Sequence, residues 1–189
     1  MRYLLITKPK AGTHLCAALL SELGLKNTHM HLNRDNYQVY EPHNLELAKR
    51  NPSSVTVNSK IQQSVGLISH GQFAYTHIYH DAEMESLFAD FCKILVVRDN
   101  SEIKRSYKRW QQDSGRTAPL VSDHELDRID QWKTVSGVFT MNFSDLVESN
   151  IEKIDQLQQH IFGRTVVDSN QSIHRALSTK TLTKSPSRE

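Results

Sequence analysis

Residues Tyr3-Leu4-Leu5-Ile6-Thr7 form an apolar run that breaks at Lys8-Pro9-Lys10-Ala11-Gly12 and resumes as a helical pattern at Thr13. A short run with no polar alternation is the pattern of a strand buried on both faces of a parallel sheet. After the break, Leu15, Cys16, Ala18, Leu19, Leu20 and Leu23 mark one broad apolar helical face, and Gly24 is placed to end it. Strand, tight loop and helix are half of a βαβ unit, which commits the chain to an α/β fold. The loop also carries chemistry. A helix beginning near Thr13 presents unpaired backbone N–H groups to the turn, Pro9 and Gly12 shape that turn, and Lys10 adds a mobile point charge. Such a turn suits an anion. The Walker signature is absent, because no Gly precedes the loop at the required spacing and no Gly-Lys-Ser/Thr closes it, which disfavours an ordinary ATPase or GTPase.

At 189 residues the chain has room for one full core and is short for two. A formal net charge of +2 argues against bulk nucleic-acid binding. Lys8, Lys10, Arg98, Lys104, Arg105, Lys108 and Arg109 nevertheless gather in two short segments, so a local basic pocket is expected. Cys16 and Cys92 are the only cysteines and both sit in apolar patterns, which suits core thiols and a reducing compartment. No basic-then-apolar leader opens the chain and no run of about 18 apolar residues occurs, so neither secretion nor a membrane partner is expected, which suits a cytoplasmic location. The ten histidines show no zinc spacing and no metal is expected; His29 and His31, two apart in a polar stretch, read as a solvated turn.

Further along, the stretch after Gly24 is polar to about Arg50, with a short helix hinted at by Leu45, Leu47 and Ala48, then a loop at Asn51-Pro52-Ser53-Ser54. Val55-Thr56-Val57 and Gln72 to His77 have strand composition, and Asp81 to Phe91 has helical spacing. Lys93-Ile94-Leu95-Val96-Val97 repeats the opening pattern, a buried run ending in the charged turn Arg98-Asp99-Asn100-Ser101, where Asp99 reads as a helix cap. A helix is expected from Ser101 to about Gln112, a loop or lid over 113–122, a strand at Val138 to Phe143 and a helix from Asn150 to Phe162. The alternation predicts a three-layer α/β/α domain with a central, mostly parallel sheet, over residues 1–168. Ligands of such sheets bind beyond the carboxyl ends of the strands, so Lys10, His77 and Arg98 should converge on one rim. From 169 to 189 the chain turns polar and reads as a frayed tail or a segment that orders over a ligand.

Taken together, these segments resemble the sulfotransferases that use 3′-phosphoadenosine 5′-phosphosulfate, a family with a P-loop-NTPase-like fold. Thr7-Lys8-Pro9-Lys10-Ala11-Gly12-Thr13 is similar to the family's 5′-phosphosulfate loop, T-Y-P-K-S-G-T, and Arg98 with Ser106, eight residues on, matches the spacing of its 3′-phosphate motif. Thr76-His77-Ile78 resembles the T-H-L segment that carries the family's base, and Phe143-Ser144-Asp145-Leu146 the Y-E-D-L element. The resemblance covers residues 1 to 163 and implies a sulfuryl transfer with Lys10 and His77 catalytic, His70 or His80 standing as alternative bases. It further implies a donor held by Lys8, Ala11, Gly12, Thr13, His14, Arg98, Ser106, Phe143 and Lys184, no metal, and a small-molecule or glycan acceptor. Its pocket is expected from residues 25 to 70 and 111 to 136, which offer Tyr37, Tyr40, Trp110 and Trp132, with the core as the alternative place for these rings.

The chain departs from the family pattern at Ala11 for Ser, at His14 and Leu15 for Thr and an aromatic residue, at Phe143 for Tyr, and in the basic closing segment, of which Lys184 and Arg188 are the nearest equivalents. Two other readings therefore stand beside the enzyme: a protein that binds the nucleotide without turnover, and a small P-loop-like kinase, which would depend on magnesium. Acceptor identity and oligomeric state are open.

Overall fold

A computed structural model of the chain describes residues 1–40, 54–115, 117 and 120–179. The expected helix at Leu45 to Ala48, the loop at 51–53 and Lys184 lie outside them. A seven-stranded sheet runs in the order β4-β3-β2-β5-β1-β6-β7. Its strands are β1 (Arg2–Thr7), β2 (Lys26–Leu32), β3 (Asn36–Tyr40), β4 (Ser54–Asn58), β5 (Gln72–Thr76), β6 (Phe91–Val97) and β7 (Val138–Asn142). β2, β5, β1, β6 and β7 pair in parallel, while β3 and β4 extend the sheet antiparallel at one edge. Leu4, Leu5 and Ile6 in β1 and Ile94, Leu95 and Val96 in β6 are fully buried, as their uninterrupted apolar runs require.

Helices cover both faces. On one lie α1 (Thr13–Glu22), α7 (Ile151–Phe162) and α8 (Ser169–Ser178), whose Leu19, Leu20, Leu157 and Ile173 pack on Leu5, Tyr75 and Val96. On the other, α2 (Ile61–Val65), α3 (Ala82–Leu87), α5 (Asp123–Asp130) and the 3-10 turn Gln131–Thr134 bring Ile61, Met84, Ile129 and Trp132 onto Leu4, Ile6 and Leu95. α4 (Asn100–Ser114) follows β6, and the short α6 (Phe143–Val147) follows β7. This is the expected three-layer architecture.

Three expectations are corrected. The polar stretch after Gly24 contains β2 and β3, because Met30 and Leu32 alternate inward while the intervening polar residues face the other way. His29 and His31 are therefore strand residues rather than a solvated turn. The expected tail opens with a packed helix, Ser169–Ser178: Asp168 caps α8 by accepting from Gln171 N–H, and the helix lays Ile173 and Ala176, both fully buried, against α1. A two-residue apolar face was too small to stand out in a polar sequence. α4 runs to Ser114, two residues into the loop expected from 113 to 122, while Ser122 and Glu125 form the capping box that starts α5 at Asp123, where that loop was expected to end.

Candidate functional site

The parallel register places the carboxyl ends of four strands side by side: Ile6 lies opposite Thr76, Thr7 opposite Val96 and Val97 opposite Asn142. His77, Arg98 and Phe143 are the residues immediately after β5, β6 and β7, and Lys8 to Gly12 follow β1. Convergence of Lys10, His77 and Arg98 on one rim is thus a direct outcome of strand length and register.

The turn after β1 has strained geometry. Lys10 holds φ 61° and Gly12 φ 92°, left-handed values that a side chain disfavours. A Cβ at Gly12 would stand 2.6 Å from the Phe143 ring, so the turn can press against α6 only because that position is glycine. Gly12 also occupies the cap position of α1, and no side chain caps that helix. Its first-turn amides are left facing the rim, where the helix dipole favours an anion.

Lys10 is half-buried, its Nζ 4.4 Å from the centre of the Trp110 ring on α4, and burial lowers its pKa to about 8. It makes no ion pair with a carboxylate among the described residues. Arg98 ties the second loop to the first: Nη1 donates to the Lys10 carbonyl oxygen at 3.0 Å, Nε donates to Glu102 at 3.0 Å, and the guanidinium lies 4.1 Å over the Phe143 ring. Nη2 has no hydrogen bond among the described residues. Phe143 is therefore held between Gly12 and Arg98. Asp99, as expected, caps α4 by accepting from Ser101 and Glu102 N–H. Ser106 sits two turns along α4, half-buried, and is not hydrogen-bonded to Arg98.

His77 Nδ1 donates to the Thr7 carbonyl oxygen at 2.7 Å and lies 3.1 Å from Thr7 Oγ1. Because a carbonyl only accepts, this bond puts the ring proton on Nδ1 and leaves Nε2 as the acceptor. Thr7 Oγ1 is also 2.6 Å from Thr13 Oγ1, so one threonine links the histidine to the start of α1. Burial outweighs the hydrogen bond to Thr7 and holds the His77 pKa at about 4, with the Lys10 charge lowering it further. The other two histidines named as alternatives stand elsewhere. His70 Nδ1 is hydrogen-bonded to the N-terminal ammonium at 2.9 Å, near the start of β5 and thus the opposite rim, and His80 Nε2 pairs with Glu85 at 2.7 Å.

Lys8 is only 2% exposed, and its Nζ meets Asp130 Oδ2 at 2.6 Å and Asn100 Oδ1 at 2.8 Å. A cleft of about 480 Å³ is lined by Lys8 and Asp130 together with Arg98, Asn100, Lys133 and Phe143; Lys10 and His77 do not line it. Trp132 is fully buried, with Nε1 donating to the Ile78 carbonyl oxygen, so it belongs to the core.

Residue-type reasoning missed the surroundings of His77. His31 in β2 packs edge-on against it with ring centres 4.5 Å apart, and His14, Tyr40 and Tyr75 complete an aromatic cluster. Burial pushes the His14 pKa down to about 4 and that of His31 well below the ordinary value. The inward alternation of Met30 and Leu32 was the available signal, since it places His31 on the α1 face of the sheet.

The sheet order, the flanking helices and the strand-turn-helix rim define a three-layer α/β/α fold with a mostly parallel sheet. No family model matches the chain, and no curated protein matches it. Among solved structures, the mouse sulfotransferase SULT7A1 complexed with PAP aligns over 95% of this chain with a TM-score of 0.57 at 15% identity. This chain spans 63% of the length of that one. A likeness at such identity establishes the fold. Among the described residues no group of three or more histidine, cysteine or acidic side chains is arranged to hold a metal ion, and no helix is long and apolar enough to cross a membrane.

Proposed function

We propose that the protein is a sulfotransferase that moves a sulfuryl group from 3′-phosphoadenosine 5′-phosphosulfate to a hydroxyl or amine of a small-molecule or glycan acceptor. The observation that carries this reading is the juxtaposition on one rim of an uncapped helix N-terminus, Lys10 free of any carboxylate among the described residues, and His77 with its Nε2 set to accept. The fold likeness supports it, and the PAP in the mouse enzyme's structure motivates the choice of nucleotide.

In this scheme the α1 amides and the Gly12 turn hold the 5′-phosphate, whose approach requires the open backbone that glycine provides. Arg98, with Nη2 to spare, holds the 3′-phosphate together with Ser106. His77 Nε2 takes the acceptor's proton as the acceptor oxygen or nitrogen bonds to sulfur. Lys10 leaves Trp110, a contact worth about 0.5–2 kcal/mol, to stand against the charge gained by the bridging oxygen as its bond to sulfur breaks. In-line transfer of this kind needs positioning and charge stabilisation and little covalent help from the protein.

Calorimetric titration with 3′-phosphoadenosine 5′-phosphate, with ATP and 5′-AMP as controls and magnesium left out, tests the nucleotide site. Preference for the 3′-phosphorylated nucleotide is expected; equal affinity for nucleotides with and without the 3′-phosphate would overturn the assignment. Transfer of labelled sulfate to a panel of hydroxyl acceptors then separates an enzyme from a nucleotide-binding protein without turnover.

A further inference from the structure

The two loops at the rim exchange bonds reciprocally. Arg98 reaches from the β6–α4 loop to the Lys10 carbonyl oxygen at 3.0 Å, and Lys8 reaches back from the β1–α1 loop, its Nζ 3.4 Å from the Arg98 carbonyl oxygen and 2.8 Å from Asn100 Oδ1. Asp130, at the end of α5, closes the arrangement with Oδ2 2.6 Å from Lys8 Nζ. Asn100 is held in turn, its Nδ2 donating to Asp127 at 2.9 Å. Lys8 is 2% exposed and its ammonium has three donors for these three partners, at the edge of the cleft beside them.

We propose that Lys8 is a positioning residue that sets the separation between the Lys10 loop and Arg98, and thereby the protein's preference for a nucleotide phosphorylated at both ends of its ribose. The inference rests on the functional reading above. The two loops cannot separate without breaking charge-assisted hydrogen bonds, those of Lys8 to the Arg98 carbonyl and Asn100 or that of Arg98 to the Lys10 carbonyl. The two phosphate grips therefore move as one body. Asp130 Oδ1, buried and without a hydrogen-bond partner, shows that the aspartate is held there for its ion pair and not for a fully satisfied network. A carboxylate so placed next to two cations, Lys8 and Lys133, has an electrostatic role in keeping the Lys8 ammonium inside.

The role is separable from stability. Lys8→Met alone leaves the Asp130 carboxylate with only the longer contact to Lys133 and can fail to fold, so it is paired with Lys8→Met/Asp130→Leu, in which no buried charge is left uncompensated and Lys133 is half-exposed. The measurement is the ratio of affinities for 3′-phosphoadenosine 5′-phosphate and 5′-AMP in wild type and in the double variant, with circular dichroism confirming the fold. A loop displaced by a fraction of an ångström from the second phosphate is expected to lower that ratio about tenfold, while 5′-AMP affinity changes little. An unchanged ratio in a folded double variant would overturn the proposal and leave the donor site intact. A double variant that does not fold would overturn it too, because it would give Lys8 and Asp130 a role in stability. A wild-type protein that does not discriminate the two nucleotides would instead sink the functional reading on which the proposal rests.

Discussion

The His77 ring is oriented by the backbone of Thr7: its Nδ1 donates to the Thr7 carbonyl oxygen at 2.7 Å, across the junction of two neighbouring parallel strands. Thr7 ends β1 and His77 follows β5, so the tautomer of a side chain is set by strand register. The consequence is a neutral imidazole with Nε2 available, next to a lysine whose charge reaches it.

The two groups bracket a pH range. His77, with a pKa of about 4, is unprotonated above that value, and Lys10, with a pKa of about 8, is charged below it. Transfer is expected to be flat between the two and to fall as pH rises through about 8, when Lys10 loses its proton. A rate that keeps rising above pH 9 would remove the Lys10 ammonium from the mechanism.

Stability should follow the histidines in a different window. His14 and His77 have folded pKa values near 4 against an ordinary 6.5, so the unfolded chain binds more protons between those values and stability is lost as pH falls from 6.5 towards 4. Carboxylates held low by hydrogen bonds, such as Asp81 and Asp99, act only below their ordinary 3.8. Thermal unfolding followed from pH 7 to pH 4 should show a falling Tm, and replacing His14 and His77 with Phe and Gln should flatten it.

Lys10→Ala should reduce transfer on the order of 10²–10³-fold, the cost of one lost charge-stabilising group at a developing oxyanion. The fold should survive, because the side chain's contacts in the structure are with the half-buried rings of Trp110 and Tyr107 on α4 and not with the core. Steady-state kinetics beside a thermal melt distinguishes the two effects.

Arg98→Ala removes a guanidinium that touches both the Lys10 backbone and the Phe143 ring. Affinity for 3′-phosphoadenosine 5′-phosphate should fall by about 2–4 kcal/mol, with 5′-AMP affinity falling less. Parallel titrations of the variant with both nucleotides give the comparison.

Gly12→Ala meets two obstacles at once. The backbone at φ 92° costs a side chain about 1–2 kcal/mol, and the new Cβ would overlap the Phe143 ring at 2.6 Å. Destabilisation of more than the backbone cost alone, with loss of nucleotide binding, is the expected outcome. A Gly12→Ala/Phe143→Ala protein that regains binding would show that the ring is the obstacle.

The apolar runs at Tyr3 to Ile6 and Ile94 to Val97 were legible as buried parallel strands because burial on both faces leaves no polar position in the run. Lys10, His77 and Arg98 were legible as rim residues for the same reason: each follows a strand end, and parallel strands end on one side. β2 and β3 were not legible, because polar residues such as His29, His31 and Asn36 interrupt them and hide the two-residue alternation of Met30 and Leu32. The order of α8 was hidden likewise, as Ile173 and Ala176 are apolar positions whose value depends on α1 being there to receive them.

The sequence by itself determined the α/β architecture and which residues stand at the strand ends, since periodicity and loop chemistry are local properties of the chain. The use to which each rim residue is put was decided by the tertiary structure. Lys8 and Lys10 are two residues apart in one basic loop, yet one is buried against Asp130 and the other is left beside Trp110 without a carboxylate among the described residues. Asp130 lies more than a hundred residues away in the chain, and only folding brings its charge to Lys8. Electrostatic partners of that kind act through space, so a local reading of the chain cannot tell a ligand-binding lysine from a structural one.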